Sequence, residues 1–163
     1  MKEAAMSEQA EEPRDAQFAL QRIYLKDASF ESPRAPEAFM GQWKPKVNLE
    51  LNSQHKPVGT DLFEVGLRVT VTVKKEDDEV VYLSEVEQAG IFMIKGLKEE
   101  ALAQTLGSFC PSVLFPYARE ALDSLVIKGS FPPLMLAPVN FDAIYEQSRQ
   151  RQADGAESPA IIN

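Results

Sequence analysis

The strongest constraint on this chain is a neutral segment, residues 101–141, within an otherwise acidic protein. The segment holds only four charged side chains, which balance to zero, whereas the whole chain carries a formal net charge of −8. Five prolines interrupt the segment, too many for a helix that crosses a membrane. Its apolar surface must therefore be covered by the rest of the protein, by another subunit or by a ligand.

Length and charge exclude several classes of function. A chain of 163 residues predicts one domain with a core of its own. The acidic balance argues against nucleic-acid binding, because a phosphate-binding surface needs clustered Lys and Arg. The N-terminus is charged throughout and lacks the apolar region of a signal peptide. No run of about 18 apolar residues occurs, so no membrane insertion is predicted, and the single cysteine fits the cytoplasm.

Alternating apolar residues predict four β-strands, at residues 18–25, 46–52, 63–73 and 80–94. In the first strand the apolar residues change phase between Leu20 and Ile23, which indicates a β-bulge. The turn sequence KKEDDE joins the third and fourth strands into a predicted hairpin. Between the second and third strands, NSQHKPVGTD is interpreted as a loop.

In the fourth strand, Leu83 falls on the polar face beside Glu85 and Glu87. A leucine in this position is either an incidental exposed residue or part of a docking patch. Single exposed leucines are common in proteins, so the pattern alone favours the incidental interpretation.

Helical patterns follow the last strand. A short helix is predicted at 98–107, a long one at 112–128 that Gly129 ends, and a final one capped by Asn140. The long helix has two apolar stripes, and a small sheet can cover only one of them. We therefore expect this helix to lie between its own sheet and another subunit, with an interface stripe formed by Leu114, Ala118, Ala121 and Leu125.

The proline-rich loop at 129–139 is apolar, which is unusual for a connection. It is either core filler or the wall of a groove. We expect the folded domain to span residues 16–153, between a disordered arm at 1–15 and a disordered tail at 154–163.

Groups that perform chemistry are sparse in this sequence. His55, the single histidine, falls in the polar loop, and Cys110 lies in an apolar run. One Cys and one His are too few for a usual zinc site, and no glycine-rich phosphate-binding motif occurs. We therefore expect neither an enzyme nor a cofactor or metal. Two classes stay open, a binder of apolar polypeptides and a structural homo-oligomer.

Several long blocks resemble the SecB family of bacterial export chaperones, in the right order across residues 18–145. They are QRIYLKDASFESP at 21–33, VGLRVTVT at 65–72, SEVEQAGIF at 84–92, LGSFCPSVLFPYARE at 106–120 and FPPLMLAPVNFDAIY at 131–145.

The resemblance implies an α+β fold: a four-stranded antiparallel sheet with helices packed on one face, assembled as a homotetramer that is a dimer of dimers. It implies a holding chaperone that binds unfolded precursor polypeptides without ATP and delivers them to the motor ATPase SecA. The alternatives are a non-catalytic structural homo-oligomer and a general anti-aggregation module without an export partner.

The resemblance also implies two sets of binding residues. Contacts to SecA are implied for four residues, and this reverses the incidental interpretation of the leucine among them: Asp27, Glu31, Leu83 and Glu85. A groove for unfolded clients is implied to involve Trp43, Val47, Leu49, Leu51, Phe131, Leu134, Leu136, Phe141 and Tyr145. We expect the loop at 129–139 to be covered only part of the time, by a client.

Overall fold

The computed structural model describes residues 15–155 and 160–162, so the predicted N-terminal arm lies outside the described residues except at Asp15. The elements are β1 (Gln17–Glu31), a 3-10 turn (Glu37–Phe39), β2 (Lys46–Gly59), β3 (Leu62–Lys74), β4 (Val80–Lys95), α1 (Glu99–Gln104), a π-helical turn (Thr105–Phe109), α2 (Cys110–Lys128), α3 (Phe141–Ala153) and β5 (Ala160–Ile162).

The four long strands form an antiparallel sheet in the order β1-β4-β3-β2, and the short β5 extends it beside β2. The helices cover one face, where α2 packs on β4, β3 and β1. We call this the inner face and the opposite one the outer face. The predicted fold class, four antiparallel strands with helices on one face, is confirmed.

β1 contains the predicted bulge. Its pairing with β4 shifts register between Leu20 and Arg22, and again between Leu25 and Asp27. Each extra residue restores the phase, so that the apolar residues on both sides of it are placed on the same face. The strand continues to Glu31, two residues before Pro33.

β2 corrects the sequence prediction. Residues 52–59, interpreted as part of a loop, continue the strand and pair with β3 as far as Gly59, so His55 lies in a strand. Every residue of this extension is exposed. Because a strand without a buried face produces no apolar alternation, its sequence pattern cannot reveal it.

The core lies between the inner face and α2. The inward-facing residues of β3 are fully buried, from Val65 to Val73, and meet the buried side of α2 at Leu114, Leu122 and Val126. The approach is close, since a Cβ atom on Gly90 of β4 would lie 3.2 Å from Leu114.

The helical region is more continuous than predicted. A π-helical turn joins α1 directly to α2, so helical backbone runs from Glu99 to Lys128. Pro111 is the second residue of α2 and directly follows the π-helical turn. The predicted cap of the last helix is confirmed, because the Asn140 side chain accepts a hydrogen bond from the N–H of Ala143 at 3.1 Å.

The C-terminal tail differs from its predicted disorder at residues 160–162. These three residues form β5, antiparallel to residues 49–51 of β2, with Glu50 opposite Ile161. The polar composition of residues 154–158 favoured a tail without structure, but pairing with a distant strand edge leaves no local pattern.

Candidate functional site

A cluster of aromatic rings lies at one end of the inner face. At its centre, Phe131 from the proline-rich loop is 5% exposed, with its ring centroid 4.9 Å from that of Tyr82. Phe39 and Trp43, from the connection between β1 and β2, stack on Phe131 at 5.2 and 5.6 Å. These two outer rings are 49% and 41% exposed, so a buried base supports an aromatic surface open to solvent.

Met40 follows Phe39 in the chain and is 71% exposed. Neither Met40 nor Phe39 was among the residues implied for the groove, although Phe39 stands only four positions before Trp43. The signal that could have found them is apolar residues in a connection that contains no predicted element, because loops normally present polar groups. A flexible Met beside exposed rings suits contacts with varied apolar partners.

Two charged side chains of α2 hold the proline-rich loop. Asp123 Oδ1 accepts a hydrogen bond from the N–H of Leu134 at 2.8 Å. One turn earlier, Arg119 donates to the carbonyl of Leu136 at 3.2 Å. Both leucines are half-buried, while Met135 between them is 75% exposed and has a positive φ of 52°. The loop is therefore fixed at the backbone and presents an apolar outer edge.

A cavity of about 480 Å³ lies farther along the inner side, between β2 and the helices. Its lining includes Leu51 of β2 and Tyr145 of α3, together with polar residues such as Asn52 and Ser148. The Tyr145 ring lies directly over Gly107, a position where any Cβ atom would clash with it. This cavity and the aromatic cluster lie along one side of the sheet.

The residues implied for the client groove divide by burial. Three of them are almost completely buried in the core: Leu51, Phe131 and Phe141. Trp43 and Val47 are exposed by 41% and 42%. The other four are half-buried: Leu49, Leu134, Leu136 and Tyr145.

The residues implied for partner binding lie together on the outer face. In the pairing of β1 with β4, Glu31 is opposite Leu83 and Asp27 is opposite Glu87. Glu85 lies between these two pairs, opposite a serine of β1. Leu83 is 37% exposed, so the structure presents an apolar side chain surrounded by carboxylates on two adjacent strands.

We call Leu83 and the carboxylates around it, Asp27, Glu31, Glu85 and Glu87, the acidic patch. These carboxylates differ in their hydrogen-bond and ion-pair partners. Glu85 accepts a hydrogen bond from Thr70 at 2.7 Å and lies 3.6 Å from the Arg68 guanidinium. Arg68 also donates to Glu87 at 2.8 Å, and this hydrogen bond raises the pKa of the guanidinium above its ordinary value. Asp27 and Glu31 are exposed. The sequence placed Glu87 on the same face as Leu83, but it did not indicate that Arg68 partly neutralises Glu85 and Glu87.

A second charged cluster lies farther along the outer face. Glu64 accepts hydrogen bonds from Lys26 at 2.7 Å and from the Tyr24 hydroxyl. The bond from Lys26, followed by that from Tyr24, lowers the pKa of the Glu64 carboxyl. Burial, followed by the interaction with Glu64, raises the pKa of Tyr24 to about 12. The cluster is therefore a structural connection between β1 and β3.

The predicted interface stripe on α2 needs a correction. Leu114 and Ala118 have no exposed surface in the single chain, because they pack on its own sheet. Neither can contact another subunit. Ala121 and Leu125 are half-buried, and the large apolar side chains on the outer side of α2 are Tyr117 and Ile127, exposed by 50% and 55%.

Cys110 is buried in the core cluster. Burial raises the pKa of the Cys110 thiol to about 12, which keeps it protonated and unreactive at neutral pH. Across residues 15–155 no group of three His, Cys, Asp or Glu side chains is arranged to hold a metal ion. Within the described part of the chain, no helix has the length and apolarity needed to cross a membrane.

Comparison with known proteins gives the family. Residues 9–152 match the family model described as preprotein translocase subunit SecB. The chain belongs to the SecB family. SecB proteins are protein-export chaperones, a kind of protein that is not an enzyme.

Relatives in the SecB family match this chain over almost its full length. The protein-export protein SecB of Hahella chejuensis is 56% identical over 155 residues, covering 95% of this chain and 97% of that protein. The SecB of Azotobacter vinelandii is 56% identical and covers 99% of both chains.

A solved structure has the same fold at low identity. The Mycobacterium tuberculosis Rv1957 SecB-like chaperone, in complex with a ChAD peptide from the Rv1956 HigA1 antitoxin, superposes with a TM-score of 0.62. It is 21% identical and the match covers 75% of this chain and 90% of that one.

Proposed function

We propose that this protein is an ATP-independent holding chaperone, which binds non-native precursor polypeptides and delivers them to the motor ATPase SecA for export. The observation that carries the proposal is the aromatic surface on the inner face, where Phe39 and Trp43 stand half-exposed over the buried ring of Phe131. A surface of this kind binds apolar segments that only an unfolded chain exposes.

The magnitude of apolar burial explains why such a chaperone needs more than one contact. Covering about 200 Å² of apolar surface contributes roughly 5 kcal/mol, which is no more than the cost of immobilising a partner. Several such contacts along one client act through effective concentration and give high affinity with little sequence specificity. Folded proteins have already buried these segments and are not bound. The chaperone therefore binds chains that fold slowly.

We propose that the acidic patch is the contact for SecA. Asp27, Glu31 and Glu85 surround Leu83 on β1 and β4, which places an apolar anchor inside a ring of negative charge. Such a surface accelerates association with a basic partner segment and weakens as salt rises. Because the patch lies on the face opposite the groove, client and motor could be bound at once.

The protein is proposed to act in the cytoplasm as a homotetramer, a dimer of dimers of roughly 73 kDa, four times the 18.2 kDa of one chain. The exposed Tyr117 and Ile127 on α2 support self-association through this helix. The domain is proposed to span residues 16–153. A tetramer multiplies the number of apolar surfaces that a single client can contact.

The experiment combines a refolding assay with light scattering. A chemically unfolded, slowly folding protein is diluted into buffer without nucleotide, with or without a molar excess of this chain. The proposal expects slower refolding and a scattering mass near the tetramer. Unchanged refolding would overturn the chaperone proposal, and a stable monomer would overturn the tetramer.

Delivery to the motor is tested separately, by binding to purified SecA at low and at moderate salt. Affinity that falls with salt supports the proposed role of the acidic patch. Holding activity without any SecA binding would instead favour a general anti-aggregation module.

A further inference from the structure

The edge of β2 is partly covered by the C-terminus of the same chain. Residues 160–162 lie antiparallel beside residues 49–51, in the register Leu49–Ile162, Glu50–Ile161 and Leu51–Ala160. β2 is otherwise the last long strand on its side of the sheet. We propose that this C-terminal segment is a built-in competitor that occupies a client-binding edge and is displaced when a client binds.

The position of the edge connects it with the proposed groove. Leu51 lines the cavity between β2 and α3, and Leu49 is packed against the core cluster beside it. A strand added to a sheet lies about 4.8 Å from its neighbour, so β5 occupies the space that an extended client backbone would take at residues 49–51. Client and tail therefore exclude each other there.

The edge strand also limits where such pairing can occur. Beyond residues 49–51, β2 carries Lys46 at one end and Lys56 and Pro57 at the other. Charged residues and proline are the devices that prevent pairing at exposed strand edges. The stretch from Leu49 to Leu51 lies between these two ends, and it is the part that the tail covers.

The tail has the composition of a weak, exchangeable strand. Its paired residues, Ala160, Ile161 and Ile162, include two β-branched side chains, which favour extended backbone. Only three residues pair, so the contact is weak by itself. Six residues separate the end of α3 from β5, and a link of this length holds the segment near the edge at an effective concentration of about millimolar.

The consequence is a threshold for client binding. A client that makes several apolar contacts displaces the tail, whereas a short segment with one weak contact does not. The inference rests on the proposed chaperone function, since it assigns a regulator to the same groove. If the tail is docked about nine-tenths of the time, the apparent client Kd is raised about tenfold.

The experiment locks or removes the tail in the full-length protein. Glu50→Cys with Ile161→Cys places two thiols at directly opposed positions, where Cα atoms about 4.5–5.5 Å apart permit a disulfide. The buried Cys110 is unreactive and stays in place. A second variant ends after Pro159. Glu50→Cys alone is the matched control for the loss of the carboxylate.

The measured quantity is the Kd for reduced, carboxymethylated α-lactalbumin, a permanently unfolded probe, by fluorescence anisotropy. The truncated protein is expected to bind up to about tenfold more tightly than wild type, according to the docked fraction. The oxidised clamp is expected to bind more weakly, with wild-type affinity restored by reductant. The single-cysteine control should match wild type.

Equal Kd values for wild type, clamp and truncation would overturn this inference and leave the chaperone proposal standing. A disulfide that links two chains on a non-reducing gel would overturn the assignment of the tail to its own β2. Loss of probe binding in every form, wild type included, would overturn the proposed function and this inference with it.

Discussion

Asp123 on α2 accepts a hydrogen bond from the backbone N–H of Leu134, with 2.8 Å between Oδ1 and N. Together with Arg119, which binds the carbonyl of Leu136 at 3.2 Å, it explains why charges occur within the neutral segment. Two of its four charged side chains fasten an apolar loop that has no regular element to satisfy its backbone. The loop can therefore present apolar side chains without losing its position.

Asp123→Ala is expected to loosen this loop. The N–H of Leu134 would lose its partner, which costs about 1–3 kcal/mol where water cannot replace it. Faster hydrogen exchange in a peptide covering residues 129–140, with a lower urea midpoint, would support this role. Ser124→Ala, which removes only a contact to Lys128, is the matched control. Unchanged hydrogen exchange in the Asp123 variant would contradict the proposed role of this side chain in holding the loop.

Trp43→Ala tests the aromatic surface. Because the ring is 41% exposed and rests on Phe131, its removal should weaken binding of an unfolded client by roughly tenfold and change stability little. Phe131→Ala, by contrast, removes a buried ring and should cost about 3–5 kcal/mol of stability.

Anisotropy titrations and urea denaturation measure these two effects separately. Val58→Ala, an exposed apolar residue at the far end of β2, is the control for nonspecific loss of apolar surface. Equal client affinity for wild type and the Trp43 variant would exclude this ring from the groove.

Charge reversal on the outer face should separate motor binding from client holding. Asp27→Lys and Glu31→Lys are each expected to weaken SecA binding about tenfold at low salt, with a smaller effect at high salt. Glu85→Lys should also disturb the fold, since Glu85 is held by Thr70 and Arg68.

Surface plasmon resonance at two salt concentrations, with a parallel refolding assay, makes this test. Glu76→Lys in the turn between β3 and β4 gives the same charge change away from the patch. If that control weakens SecA binding equally, net charge and not the patch governs association.

The Glu64 cluster predicts a dependence of stability on pH. The folded pKa of Glu64 is lowered, chiefly by the bond from Lys26, so its stabilisation is present above the unfolded pKa and disappears as pH falls through the folded one. Glu64→Gln should therefore lower the urea midpoint at pH 7, and the difference from wild type should vanish at acid pH, once the pH has fallen through the folded pKa. A difference that persists at low pH would assign the effect to packing. Glu76→Gln serves as the exposed control.

The exposed side of α2 is predicted to form the oligomer interface. Ile127→Glu and Tyr117→Glu place charge on the exposed side of the helix and should dissociate the oligomer without unfolding the chain. Size-exclusion chromatography with light scattering reports the mass, and circular dichroism reports the fold. Lys98→Glu, exposed just before α1, is the control. A tetramer that persists in both variants would place the interface elsewhere.

The sequence predicted the elements in which one face is buried and the other is not. Strand β3 alternates from Phe63 to Val73, and the phase change after Leu20 indicated the bulge that the register of β1 contains. The Asn140 cap was also visible, because capping depends on groups only three residues apart. Burial of one face produces a periodic pattern of apolar residues. Local hydrogen bonding produces a pattern within a few residues of sequence.

Other features were hidden because their partners are distant in sequence or their surfaces are exposed. The extension of β2 beyond Asn52 has no buried face, and β5 pairs with an edge more than a hundred residues away. The charged cluster around Arg68 joins β3 to β4, and the cluster around Glu64 joins β1 to β3. None of these arrangements produces a pattern within a local window.

The sequence by itself determined that much of residues 101–141 is to be covered, because burying apolar surface lowers the free energy. Only the tertiary structure decided what covers each part. It buries Leu114 and Ala118 on their own sheet, fastens Leu134 through Asp123, and leaves Met135 exposed. Hydrophobicity is non-directional, so an apolar pattern records that a side chain is to be buried but not against which surface.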